Sequence, residues 1–90
     1  MTDVVVTGQL ICANEDEAAQ VRRHLPLHTR NSLSEAGCLS FVVRQTADPL
    51  VWQVDERFVN AAAFKAHYEL AVSSEWGRVV QGIKRRFTTS

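Results

Sequence analysis

The chain reads as an α+β domain of the ferredoxin-like βαββαβ type, and three observations lead there. Four extended, period-2 segments alternate with two helical ones in the order strand, helix, strand, strand, helix, strand. Each helical segment opens on an asparagine suited to cap it. The two central strands are joined by a short proline-containing turn, as an antiparallel hairpin requires.

The first strand spans Val4 to Cys12, a β-branched, apolar run interrupted only by Gly8. A glycine inside a strand signals a bulge or the close approach of something to the backbone. Asn14 followed by Glu15, Asp16 and Glu17 then starts a helix, with Glu at the third position and three acids against the positive end of the helix dipole. That helix runs from Glu15 to Leu33, with Ala18, Val21, Leu25, His28 and Ser32 on one stripe. Pro26 removes one backbone bond inside it and predicts a kink or a division into two. Arg22, Arg23 and Arg30 form a solvated face, and His24 falls on the surface.

Gly37 offers a residue able to take positive φ where the helix gives way to a strand. In that second strand Leu39, Phe41 and Val43 alternate with Ser40, Val42 and Arg44. After the turn Ala47 to Leu50, the third strand covers Val51 to Phe58 and places Trp52, Val54, Glu56 and Phe58 on one face. Glu56 among apolar neighbours needs a partner. Arg57 points the other way.

Asn60 caps the second helix, although Ala63 stands where a capping box would have Glu or Gln. Ala63, Phe64, His67, Leu70 and Ala71 share its inner stripe. An inward histidine is either a core residue satisfied by backbone or water, or a general base in a cavity, since imidazole titrates near neutrality. His28 and His67, one on the apolar stripe of each helix, make a pair. VSSEWGR, residues 72 to 78, reads as a short helical turn broken at Gly77, and Val79 to Thr88 as the last strand, with Ile83, Arg85 and Phe87 on one face. The sheet face away from the helices has nothing in the chain to cover it. A second, identical sheet is the expected cover.

The 90 residues make one domain, residues 1–90, small enough that a homodimer is expected. Ten basic and ten acidic residues cancel, which argues against a nucleic-acid or anionic-membrane surface. The basic run Lys84, Arg85, Arg86 reads as a solvated strand end with one inward member. No apolar run approaches membrane-spanning length and the opening residues lack a signal-peptide pattern, so cytoplasmic residence is the expectation. Cys12 and Cys38 are expected as reduced thiols, and neither they nor the histidines form a metal motif.

SEAGCLSF resembles the EPGCLxF/Y segment of the antibiotic biosynthesis monooxygenase superfamily, and DERF with AAF..H resembles its strand-to-helix signature ending in histidine. EWGR and GIKRRF are similar to the close of the quinol monooxygenase-like branch. The resemblance implies a dimeric α+β barrel with a small-molecule cavity between sheet and helices. It carries over His67 as the helix histidine, His28 as a first-helix histidine of nearer relatives, Glu56 and Phe58 as the acidic and aromatic positions ending the third strand, and Glu35, Gly37 and Cys38 as a structural turn. Ala36 replaces the usual proline, and Leu33 stands where a basic residue is common. Phe58 and Gly8 stand where haem-degrading relatives carry tryptophan and asparagine, which speaks against that activity.

The implied chemistry is oxidation of a small aromatic molecule, a hydroquinone, phenol or polyketide-type compound, by molecular oxygen with no metal or flavin. His67 is the expected base, with His28 or Glu56 orienting substrate or oxygen. Trp52, Phe41, Phe58 and Phe64 are the expected aromatic walls and Trp76 the cap of the entrance. Two alternatives stay open: another enzyme on the same scaffold, an isomerase or a haem-processing protein, and a dimeric ligand-binding or stress-response module without turnover.

Overall fold

The computed structural model describes residues 3–90. Its elements are β1 (Val4–Ile11), α1 (Glu15–Leu33), β2 (Cys38–Gln45), β3 (Val51–Phe58), α2 (Ala61–Ser73), α3 (Glu75–Val80) and β4 (Lys84–Thr89). The four strands form one antiparallel sheet in the order β2-β3-β1-β4, the ferredoxin-like arrangement expected from the alternation of periods. Register puts Val6, Gly8 and Leu10 of β1 opposite Glu56, Val54 and Trp52 of β3, so these six share the inner face. The core sits between that face and the helices, built from Leu10, Cys12, Ala18, Val21, Trp52, Val54, Val80 and Ile83.

The capping asparagines act as their side chains suggest. Asn14 accepts from the backbone N–H of Glu17 at 3.0 Å, while Glu17 reaches back to the N–H of Ala13 at 2.7 Å. Asn60 accepts from Ala63 N–H at 2.8 Å. Pro26 does not divide α1. The helix runs through it, losing only the bond residue 26 cannot donate, because Val21 and Ser32, fully buried on either side, hold both halves down.

Several details differ from the sequence-based expectation. Gly37 takes no positive φ. It is there for room, since a Cβ at that position would run into the Cβ of Ala63 on the first turn of α2. Gly8 likewise admits a neighbour, the Arg86 carbonyl and Phe87 of β4, which is one of the two explanations its place in a strand suggested. The break after α2 falls at Ser74, not Gly77; Ser74 is extended, with ψ 171°, and its hydroxyl accepts from Gly77 N–H to start α3. Val79 and Val80 therefore belong to α3, and β4 begins at Lys84. Leu39 is the extra residue of a bulge between Cys38 and Ser40 and is half exposed.

On α2 only His67 is buried; Ala63, Phe64 and Ala71 are half-buried and Leu70 is exposed. The physical reason is that α2 stands over open space instead of a packed layer. The outer sheet face mixes apolar and polar residues. Val5, Ile11, Val42 and Val51 are interspersed with Thr7, Gln53, Asp55 and Arg44, the last two an ion pair at 4.0 Å. Among the described residues no helix is long and apolar enough to cross a membrane.

Candidate functional site

The space under α2 is a cavity of about 590 Å³ between the inner sheet face, α2 and α3. It lies within the size range of small-molecule sites. Of the residues singled out in the sequence, it gathers His28, Phe41, Glu56, Phe64, His67 and Trp76 on its wall. Trp52 and Phe58, expected as walls, are not on it. Trp52 is packed in the main core, and Phe58 is fully buried behind His67, its ring 4.9 Å from the imidazole between centroids. Both lie on the inner sheet face as their spacing predicts, but at levels where helix side chains close over them.

His67 is placed by a chain of local causes. Gly37 lets the turn after α1 touch Ala63, and Val59 N–H donates to the Gly37 carbonyl at 2.9 Å, fixing the turn to the end of β3. Residues i and i+4 lie on one side of a helix, so the face of α2 that meets this turn at Ala63 also presents His67 to it. There His67 Nδ1 lies 3.0 and 3.2 Å from the two carboxylate oxygens of Glu35. On the other side Nε2 stands 3.6 Å from Glu56 Oε1, an ion-pair distance slightly too long for a hydrogen bond. The imidazole is thus held between two carboxyl groups, its side chain 6% exposed against 22% for Glu35 and 11% for Glu56.

Burial, reinforced by the charge of nearby Glu35, pushes the Glu56 carboxyl up from its ordinary 4.5 to about 7. Burial thus biases the carboxyl beside Nε2 toward its protonated form. Burial, with His67 adding to it, drives His28 from 6.5 down to about 4 and keeps it uncharged. His28 stacks on Trp76 at 4.6 Å between centroids, nearly parallel at 6°, and meets the edge of Phe41 at 5.2 Å. The result is a planar aromatic lining with its acid–base groups at one place.

Residues that the sequence reading had not assigned to the site also line the cavity: Tyr68, Gln81, Arg78, Arg85 and Phe87. The alternation of Ile83, Arg85 and Phe87 carried the signal for two of them. Glu35 does not line this cavity but holds His67 from behind it, and it sits inside the turn segment for which the family resemblance implies a structural part. Among the described residues, no group of three or more His, Cys, Asp or Glu side chains is arranged to hold a metal ion.

The sequence matches the antibiotic biosynthesis monooxygenase family over residues 4–77, most of the chain. The chain belongs to that family. No curated protein matches it. Among solved structures it is similar to a conserved protein of unknown function from Bacteroides thetaiotaomicron, described as a possible oxidoreductase, with TM-score 0.85 at 18% identity over 99% of this chain and 96% of that one. A protein from Pseudomonas aeruginosa gives 0.80 at 20% identity over 100% and 93%. A candidate antibiotic biosynthesis monooxygenase from Nitrosomonas europaea gives 0.81 at 21% over 97% and 88%. At such identities the likeness speaks for the fold.

Proposed function

We propose that this family member is a cofactor-independent monooxygenase that oxidises a small hydroquinone, phenol or polyketide-type aromatic with molecular oxygen, in the manner of the quinol monooxygenase-like branch. The observation that carries the reading is His67: a buried imidazole on the wall of an aromatic-lined cavity, one nitrogen braced by the Glu35 carboxylate and the other turned toward Glu56 on the same wall. An ionised electron-rich ring can itself pass electrons to oxygen, so the protein has to deprotonate it, hold it and keep water out.

His67 Nε2 takes the proton of the bound hydroxyl. The resulting anion reduces oxygen and one ring C–O bond forms. The O–O bond then breaks, one oxygen stays on the ring, and the other leaves as water with two hydrogens from the substrate. Hydroquinone plus O2 thus becomes hydroxyquinone plus water, with no outside reductant. His28, uncharged and stacked on Trp76, orients the ring, and Glu56 shares the proton with Nε2.

The working unit is a homodimer formed through the outer sheet face, where Val5, Ile11, Val42 and Val51 offer apolar surface to a second sheet. Light scattering on the eluting protein is expected to give twice the chain mass of 10.1 kDa, and a monomer at micromolar concentration contradicts the dimer.

Oxygen uptake by metal-free and flavin-free protein against a panel of hydroquinones and phenolic polyketide mimics tests the reaction. Wild type consumes oxygen in a substrate-dependent way, and His67→Ala loses on the order of 10²- to 10⁴-fold of the rate. Uptake no faster than spontaneous oxidation across the panel, or an unimpaired His67→Ala, overturns it.

A further inference from the structure

A second concavity of about 400 Å³ lies on the other side of His28 and Trp76, between α1 and the α2–α3 corner. Glu35 lines it; His67 does not. The Glu35–His67 hydrogen bond therefore joins the outer groove to the inner cavity. A carboxylate can only accept, so the nitrogen facing an ionised Glu35 is the one that carries hydrogen.

We propose that Glu35 is the positioning residue of this site: reaching in from the outer groove, it holds the Nδ1–H of His67 so that Nε2 presents its lone pair to the cavity. This rests on the reading of His67 as the base. Two facts make the role more than packing. Glu35 uses both carboxylate oxygens on one nitrogen, and no other side chain hydrogen-bonds that nitrogen among the described residues. Other ionisable groups near the ring lie elsewhere: Glu56 on β3 faces Nε2, while His28 on α1, Tyr68 on α2, Arg78 on α3 and Arg85 on β4 line the cavity. When Nε2 takes a proton, the positive imidazolium forms against the Glu35 carboxylate, which stabilises it beside a buried ring.

The tautomer of His67 is read directly by long-range nitrogen–proton NMR on labelled wild type, Glu35→Gln and Glu35→Ala. Wild type places the unprotonated nitrogen signal on Nε2. Glu35→Gln keeps it there, because the amide oxygen still accepts from Nδ1–H, and Glu35→Ala populates both tautomers. An unchanged tautomer in Glu35→Ala overturns the proposal.

On a substrate that turns over, Glu35→Ala loses on the order of 10²-fold in kcat, within the general-base range. Added acetate, small enough to occupy the vacated space from the groove, restores part of the loss. Glu35→Gln loses less and acetate does not restore it, since the amide fills that space. A wild-type rate in Glu35→Ala, or a loss there that acetate does not restore, refutes the role, and Glu35→Met, of similar length but unable to accept from Nδ1–H, takes its place if the Ala variant fails to fold. If no substrate is oxidised by wild type, the proposed reaction fails by itself, while the tautomer comparison still decides the role of Glu35.

Discussion

Removing the carboxyl of Glu56 exposes a balance between two buried groups that pull stability in opposite directions with pH. Folding raises Glu56 from 4.5 to about 7, mainly by burial, so between those values the folded chain binds more protons than the unfolded one. Stability from this group is therefore full below about pH 4.5 and lost as pH rises to about 7. At about 1.4 kcal/mol per pH unit, the total is about 3 kcal/mol. His28 works the other way. Its displacement from 6.5 to about 4 means the unfolded chain binds the proton more readily, so stability rises by about 3 kcal/mol between pH 4 and 6.5. The windows overlap from about pH 4.5 to 6.5, and there the two slopes nearly cancel. Glu56→Gln removes one of them. Urea unfolding of wild type and variant at one protein concentration, from pH 4 to 8, gives a variant whose stability relative to wild type increases by about 3 kcal/mol from pH 4.5 to 7.5. His28→Phe shifts the difference in the opposite direction over pH 4 to 6.5. A stability difference independent of pH in Glu56→Gln refutes the argument that burial holds this carboxyl protonated.

Two further changes test how the site is positioned. Gly37→Ala drives a methyl into Ala63 and costs about 1–3 kcal/mol by overpacking, read as a lower urea midpoint; an unchanged midpoint contradicts the close approach that brings the turn to α2. Asn60→Ala removes the cap of the helix that carries His67 and costs about 1 kcal/mol, with hydrogen exchange rising first at Ala63, whose N–H loses its acceptor. Protection at Ala63 equal to wild type counts against the cap.

Much of the architecture was legible because local and global signals agree. The bounds of α1 and β3 match the pattern, since caps, acids in the first turn and strict alternation all mark the same residues. Inward His28 and His67 followed from helical spacing alone. What periodicity cannot carry is how deep a residue lies on a given face: Trp52 and Phe58 share that face with Glu56, yet only Glu56 opens on the cavity. The same limit applies to Leu70, which sits on the right stripe of a helix that covers space instead of core. Glu35 was hidden for a different reason, because its partner is 32 positions away and contact depends on Gly37 letting a turn and a helix touch. Gly37 itself was noticed for a backbone freedom it does not use; steric room leaves no separate mark in a single sequence.

The central claim, that the cavity ionises a bound aromatic hydroxyl through His67, is tested most directly by binding a phenolic ligand anaerobically and recording its absorbance. Wild type converts the ligand to its red-shifted phenolate at a pH where it is neutral in solution, and His67→Ala binds the same ligand in its neutral form. A ligand bound as the neutral phenol by both proteins, or as the phenolate by both, contradicts the account.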